Sequence, residues 1–211
     1  MEFLALLWDI AVHLDQHLAA LLAQHGPWVY AILFLIVFCE TGLVVTPFLP
    51  GDSLLFVAGA LAATGGMDAT LLNVSLIAAA VLGNSVNYSV GRYLGPKVFQ
   101  WEDSRFFNRR ALQQAHDFYL RHGGKTIVIT RFLPILRTFA PFVAGVAEMP
   151  PGRFQAFNVA GGVLWVVSLT LAGFWFGNLP LVKDNLTVVI LAIATISVMP
   201  AVVGFLRHRG G

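Results

Sequence analysis

The sequence predicts an all-α integral membrane protein built as an inverted repeat. Each half is a re-entrant hairpin of broken helix followed by a transmembrane helix, with amphipathic interfacial helices and one further C-terminal transmembrane helix. Three observations carry this. The 211 residues are 57% hydrophobic and 11% charged, with a mean hydropathy of +0.76, whereas soluble domains are about one quarter charged. Two long apolar stretches are broken by proline and by charge at matching places, each followed by an unbroken apolar stretch. Finally, Phe56-Val57-Ala58-Gly59 recurs as Phe142-Val143-Ala144-Gly145, and at the same spacing Gly91 falls on Gly177.

The length leaves room for a handful of spans at about 20 residues each and for no separate soluble domain, so residues 1–211 read as a single membrane domain. Residues 3–25 form an amphipathic helix, with Leu7, Ile10, Leu14, Leu18 and Leu21 on one side, lying along the interface and stopping at Gly26-Pro27. Asp9, His13 and His17 have the i, i+4 spacing of metal ligands, but no closing ligand follows, and a solvated polar face is the preferred reading. Residues 28–64 are the first hairpin, interrupted by Glu40, Pro47, Pro50 and Asp52 and closed by a Gly65-Gly66 turn. Residues 69–94 span. Their Asn84, Asn87 and Tyr88 share a helical face, either lining a cavity or bonding neighbouring helices.

Residues 96–124 are the most hydrophilic part, a basic amphipathic segment suited to an anionic leaflet. Residues 126–149 are the second hairpin, with Arg131 and Arg137 on either side of Pro134, and with Pro141 as a second break. Pro150-Pro151-Gly152-Arg153 reads as a turn, after which residues 153–178 and 185–206 span. Not one of the 13 Lys and Arg residues precedes Arg92, and seven crowd into 92–125. By the positive-inside rule residues 96–125 and the C-terminus are cytoplasmic. Nucleic-acid binding is set aside because the basic run is tethered between membrane elements.

A charged side chain in hydrocarbon costs about 2.5 to 3.5 kcal/mol, so intramembrane arginines are expected to face a wet cavity, a counter-ion or a ligand. Arginine's fork of donors matches a phosphate or carboxylate, and Arg131 and Arg137 can converge on one anionic head group. Burial disfavours the charged form of a carboxylate and a nearby arginine favours it, a balance that suits proton exchange. Glu40, preceded by twelve apolar residues, is the stronger candidate for that role, with Asp52 assisting. The bland alternative is that the four charges only neutralise one another. Asn84, Asn87, Tyr88 and Thr138 complete the candidate cavity lining. The single Cys39 and the absence of a hydrolase or metal motif argue against an enzyme, and no metal or cofactor is expected.

At these residues the chain resembles the DedA family of bacterial inner-membrane proteins, which share the SNARE-associated or VTT domain. The matching pieces are Glu40-Thr41-Gly42 with Pro47 and Pro50-Gly51-Asp52, then Phe56 to Gly59, the Asn84, Tyr88, Gly91-Arg92 and Gly95 set, and the Arg131 to Gly145 run. The resemblance implies a multi-pass protein of the bacterial inner membrane that moves undecaprenyl phosphate, or another phospholipid, between leaflets under the proton motive force. It implies functional roles at Glu40, Asp52, Arg131 and Arg137. The implied partners are membrane lipids and protons. A proton-coupled transporter of a small oxyanion or cation, a drug transporter and a non-transporting membrane partner are the alternatives. Homo-oligomer formation is left open.

Overall fold

The computed structural model describes residues 14–43, 51–98 and 124–183, with residues 188, 189 and 192. The expected interfacial stretch before residue 14, the basic segment at 99–123 and nearly all of the C-terminal span at 185–206 lie outside the described residues. All regular structure among the described residues is helical. In chain order the helices are α1 (Leu14–His25), α2 (Trp28–Gly42), α3 (Gly51–Ala63), α4 (Ala69–Val98), α5 (Lys125–Thr130), α6 (Pro134–Val146), α7 (Pro151–Phe176) and α8 (Pro180–Lys183).

Only two are long and apolar enough to cross a bilayer, among the described residues: 27 residues of α4, at mean hydropathy 1.7, and the 26 of α7, at 1.8. At 1.5 Å per residue each reaches about 40 Å, against a hydrocarbon thickness of about 30 Å. The 15 residues of α2 and the 13 each of α3 and α6 reach about 20 Å and cannot cross alone. Leu71, Val74, Leu82, Val86, Val90 and Tyr93 form an exposed apolar stripe along α4. Such a face suits lipid and not water.

Local chemistry sets the boundaries. Gly26, at φ +52, ends α1 by donating its N–H to the Leu22 carbonyl at 2.9 Å. Gly65, at φ +79, ends α3 in a Schellman motif, with Gly66 N–H on the Leu61 carbonyl and Gly65 N–H on that of Ala62. The Asp68 carboxylate caps α4 by accepting from Leu71 N–H at 2.7 Å. Pro134 forces the residue before it out of the helical region, and Leu133 sits at φ −119, ψ 99, so the chain breaks between α5 and α6.

Pro141 does not break the chain as expected. α6 runs through it from Pro134 to Val146, with Pro141 buried. Nor are Pro151, Gly152 and Arg153 a turn: they are the first turn of α7, where a proline's missing N–H costs nothing. α6 ends in a second Schellman motif, and its left-handed position is held by Glu148 at φ 55 where glycine is usual.

The helices gather into two compact units. The first holds α1, α2 as far as Ile36, α3, α4 as far as Ala78 and α7 from Trp165. The second holds the rest of α2, of α4 and of α7, with α5 and α6. In the first unit α1 packs on α3, and α3 lies against the end of α7: a methyl at Gly173 would overlap the Phe56 carbonyl, and one at Gly59 that of Thr170. In the second unit α6 lies against α4 in the same way. A methyl at Gly91 would overlap the Phe142 carbonyl, and one at Gly145 that of Tyr88.

Gly177 meets Ala60 and Gly95 meets Val146. The contacts therefore equate Gly91 with Gly173 and Gly95 with Gly177, correcting the match of Gly91 to Gly177 suggested by the sequence. α3 and α6 each pack on the long helix encoded in the other half of the chain.

Candidate functional site

The break at Pro134 divides the two arginines between segments. Arg131 caps the end of α5, and Arg137 sits in the first turn of α6, where its N–H donates to the Leu133 carbonyl at 2.8 Å. Both lie in the second unit, with Glu40 of α2. The Arg137 Nη2 donates to Glu40 Oε1 at 2.5 Å, and the two side chains are 3% and 0% exposed. A charge-assisted bond of this length is among the strong ones, though stripping water from both ions offsets much of its gain.

Arg131 is held differently. Its side chain is 1% exposed, and Nη2 donates to Asn158 Oδ1 at 2.5 Å, to the Asn158 carbonyl at 3.2 Å and to the Ala80 carbonyl at 3.3 Å. Every one of these acceptors is neutral. Nε and Nη1 are buried with no hydrogen-bond partner. Space for the guanidinium comes from two adjacent glycines of α7. A methyl at Gly161 would stand 3.1 Å from Arg131 Cδ, and one at Gly162 would stand 3.5 Å from Nη2.

α4 supplies the polar face opposite. Asn87 Nδ2 donates to the Thr138 carbonyl at 2.8 Å and to the Thr41 carbonyl at 3.2 Å, tying α6 and α2 beside the Glu40–Arg137 pair. Thr41 and Thr138 are fully buried. Asn84 and Asn87 each keep a buried amide oxygen without a partner. Tyr88 is a packing residue: its hydroxyl donates to the Met149 carbonyl, and its ring stacks on Phe154 at 4.2 Å in a cluster with Ile127, Ala144 and Ala147.

Asp52 belongs to the first unit and accepts from the buried Trp165 indole at 2.9 Å. Both guanidiniums are almost wholly buried among the described residues. Sequence reasoning missed Asn158, Gly161, Gly162 and Trp165. A glycine pair next to an asparagine in an apolar span was the available signal for the first three.

A buried Glu–Arg pair among short helices, together with two helices long and apolar enough to cross a bilayer, fits a membrane protein. Residues 49–175 match the VTT domain, and the chain belongs to this family, the DedA family of membrane proteins. It is similar to Protein DedA of Escherichia coli (strain K12), at 52% identity over 211 residues covering 99% of this chain and 96% of that one. It is 38% identical to Inner membrane protein YghB of the same strain over 188 residues, 87% of this chain and 82% of YghB. An uncharacterized membrane protein of Mycobacterium leprae (strain TN) is 44% identical over 168 residues, 80% of this chain and 75% of that protein. No solved structure matches the chain.

Proposed function

We propose that the protein is a lipid transporter of the bacterial inner membrane that moves undecaprenyl phosphate, or another phospholipid, between leaflets under the proton motive force. The observation that carries this reading is the unequal treatment of two buried arginines. Arg137 is paired with a carboxylate, while Arg131 has only neutral acceptors and keeps donors unused. A buried cation without a counter-ion is a strong attractor for an anionic head group.

The mechanism follows from chemistry at the pair. In the closed state Glu40 holds Arg137. A proton delivered to Glu40 removes the negative partner, and Arg137 is released to join Arg131 on the phosphate. Loss of the proton on the opposite side restores the pair and ejects the head group, while the hydrocarbon tail stays in the bilayer. Asp52, fixed by Trp165, assists as a second protonatable carboxylate. The α2–α3 and α5–α6 segments are read as re-entrant hairpins of an inverted repeat, because α3 and α6 are too short to cross and pack in one shared register. Arg92, Lys125 and Arg153 are exposed in the second unit, in keeping with cytoplasmic placement of residues 96–125 and of the C-terminus.

Native mass spectrometry of the purified protein tests the reading. A co-purifying prenyl phosphate is expected, lost in Arg131→Ala and Arg137→Ala while both variants still insert. Binding and carrier recycling retained in both variants would refute it. A small bound ion in place of the lipid would point to a small-ion transporter.

A further inference from the structure

We propose that Asn158 is a positioning residue that grips Arg131 by one nitrogen without cancelling its charge, so that the remaining donors are kept for an oxyanion. The inference rests on the phosphate reading above and identifies what makes Arg131, rather than Arg137, the resting attractor.

Asn158 can present its oxygen to Arg131 in one orientation only. Its Nδ2 is committed to the Val81 carbonyl at 3.0 Å, Gln155 Oε1 at 3.1 Å and Ser85 Oγ at 3.2 Å. Gln155 is fixed in turn by donating Nε2 to Ser85 Oγ at 2.7 Å, and Ser85 donates to the Val81 carbonyl at 2.6 Å. A flipped amide would set its NH₂ against the guanidinium and its oxygen against three acceptors. Oδ1 is therefore pinned at 2.5 Å from Arg131 Nη2.

That grip supplies geometry without a negative charge. Glu40 does the opposite at Arg137, pairing at the same 2.5 Å distance with a carboxylate that an incoming anion has to displace. Arg131 Nε and Nη1 remain buried with no hydrogen-bond partner. Unsatisfied buried donors are costly and rare in folded proteins, and a phosphate oxygen is the acceptor that best answers a guanidinium. Gly161 and Gly162 leave no side chain to shift the guanidinium sideways or fill its place. Each member is small or neutral, as holding a charge open requires.

The test compares wild type with Asn158→Asp, Ser85→Ala and Arg131→Ala in the purified full-length protein. A short prenyl monophosphate and, separately, inorganic phosphate are titrated, and the thermal midpoint is recorded. In Asn158→Asp the carboxylate neutralises Arg131 and competes with the ligand, so affinity is expected to fall at least about tenfold. Ser85→Ala removes one acceptor of Asn158 Nδ2 and the anchor of Gln155, which loosens the grip on Oδ1, and it is expected to weaken binding several-fold with little change in midpoint.

A purely structural Asn158 would lower the midpoint and leave the affinity of the folded fraction unchanged, and that result overturns the proposal. If Asn158→Asp does not fold, Ser85→Ala decides, and unchanged affinity there overturns it. Binding lost in Arg131→Ala but kept in the other two removes the role of Asn158 alone. Binding kept in Arg131→Ala removes the phosphate reading as well. Preference for the prenyl ligand assigns a lipid head group, equal affinity for inorganic phosphate assigns a free anion, and both support the role of Asn158.

Discussion

The Glu40–Arg137 pair yields the most demanding prediction. At 2.5 Å, with side chains 3% and 0% exposed, the raw attraction is about 7 kcal/mol at an effective dielectric of about 20. Desolvation of both ions offsets most of it, so neutral replacement of the pair is expected to be close to neutral, whereas removing one partner leaves the other charge buried without its opposite at a cost of about 3 to 5 kcal/mol. The cycle is Glu40→Leu, Arg137→Met and the double variant. For a chain of this size about 1 kcal/mol shifts the thermal midpoint by about 2 to 4 °C. Each single change should therefore lower it by roughly 6 to 20 °C, with the double variant within a few degrees of wild type. Glu40→Leu should be the costlier single change, since a buried carboxylate that has lost its arginine can shed its charge by taking up a proton and a guanidinium cannot. Unfolding followed by tryptophan fluorescence in mild detergent reads these values. Additive single effects, with the double variant the worst of the three, would show that the two groups are not coupled and would remove the proposed release of Arg137.

Two further outcomes concern the backbone. Gly145→Ala places a methyl against the Tyr88 carbonyl and 2.7 Å from Arg92 N, and should cost about 1 to 3 kcal/mol. Gly152→Ala meets nothing within 4 Å in the first turn of α7 and should stabilise by up to about 1 kcal/mol. Equal midpoints for the two would contradict the close approach of α6 to α4. Glu148→Gly relieves a non-glycine residue at φ 55 and should raise stability by about 1 kcal/mol, a gain that Glu148→Ala should not reproduce.

Local signals were legible in the sequence where one residue type dictates one conformation. Pro134 announced the break that parts Arg131 from Arg137, and Gly26 and Gly65 announced helix ends. Pro141 misled, since the helix runs through it from Pro134 to Val146. The partners of the charges were not legible. Arg137 finds Glu40 across 97 residues, Arg131 finds Asn158 across 27, and Asp52 finds Trp165 across 113. No periodicity encodes such pairings. The corresponding glycines were misaligned for a related reason: the shared motif locates the short helices, while the register of the long helices shows only in which carbonyl each glycine meets.

The exchange of partners between the two halves sets the order of events during biosynthesis. α3 is synthesised long before the end of α7, the surface it packs on, and the Trp165 that holds Asp52 follows 113 residues later. At about 5 to 20 residues per second the ribosome takes roughly 6 to 23 s to deliver it. Through that interval the nascent first half sits in the bilayer with its glycine face uncovered and a carboxylate awaiting its indole. A ribosome stalled before residue 165 would therefore leave an unfinished first unit, and the late-made end of α7 is what closes it.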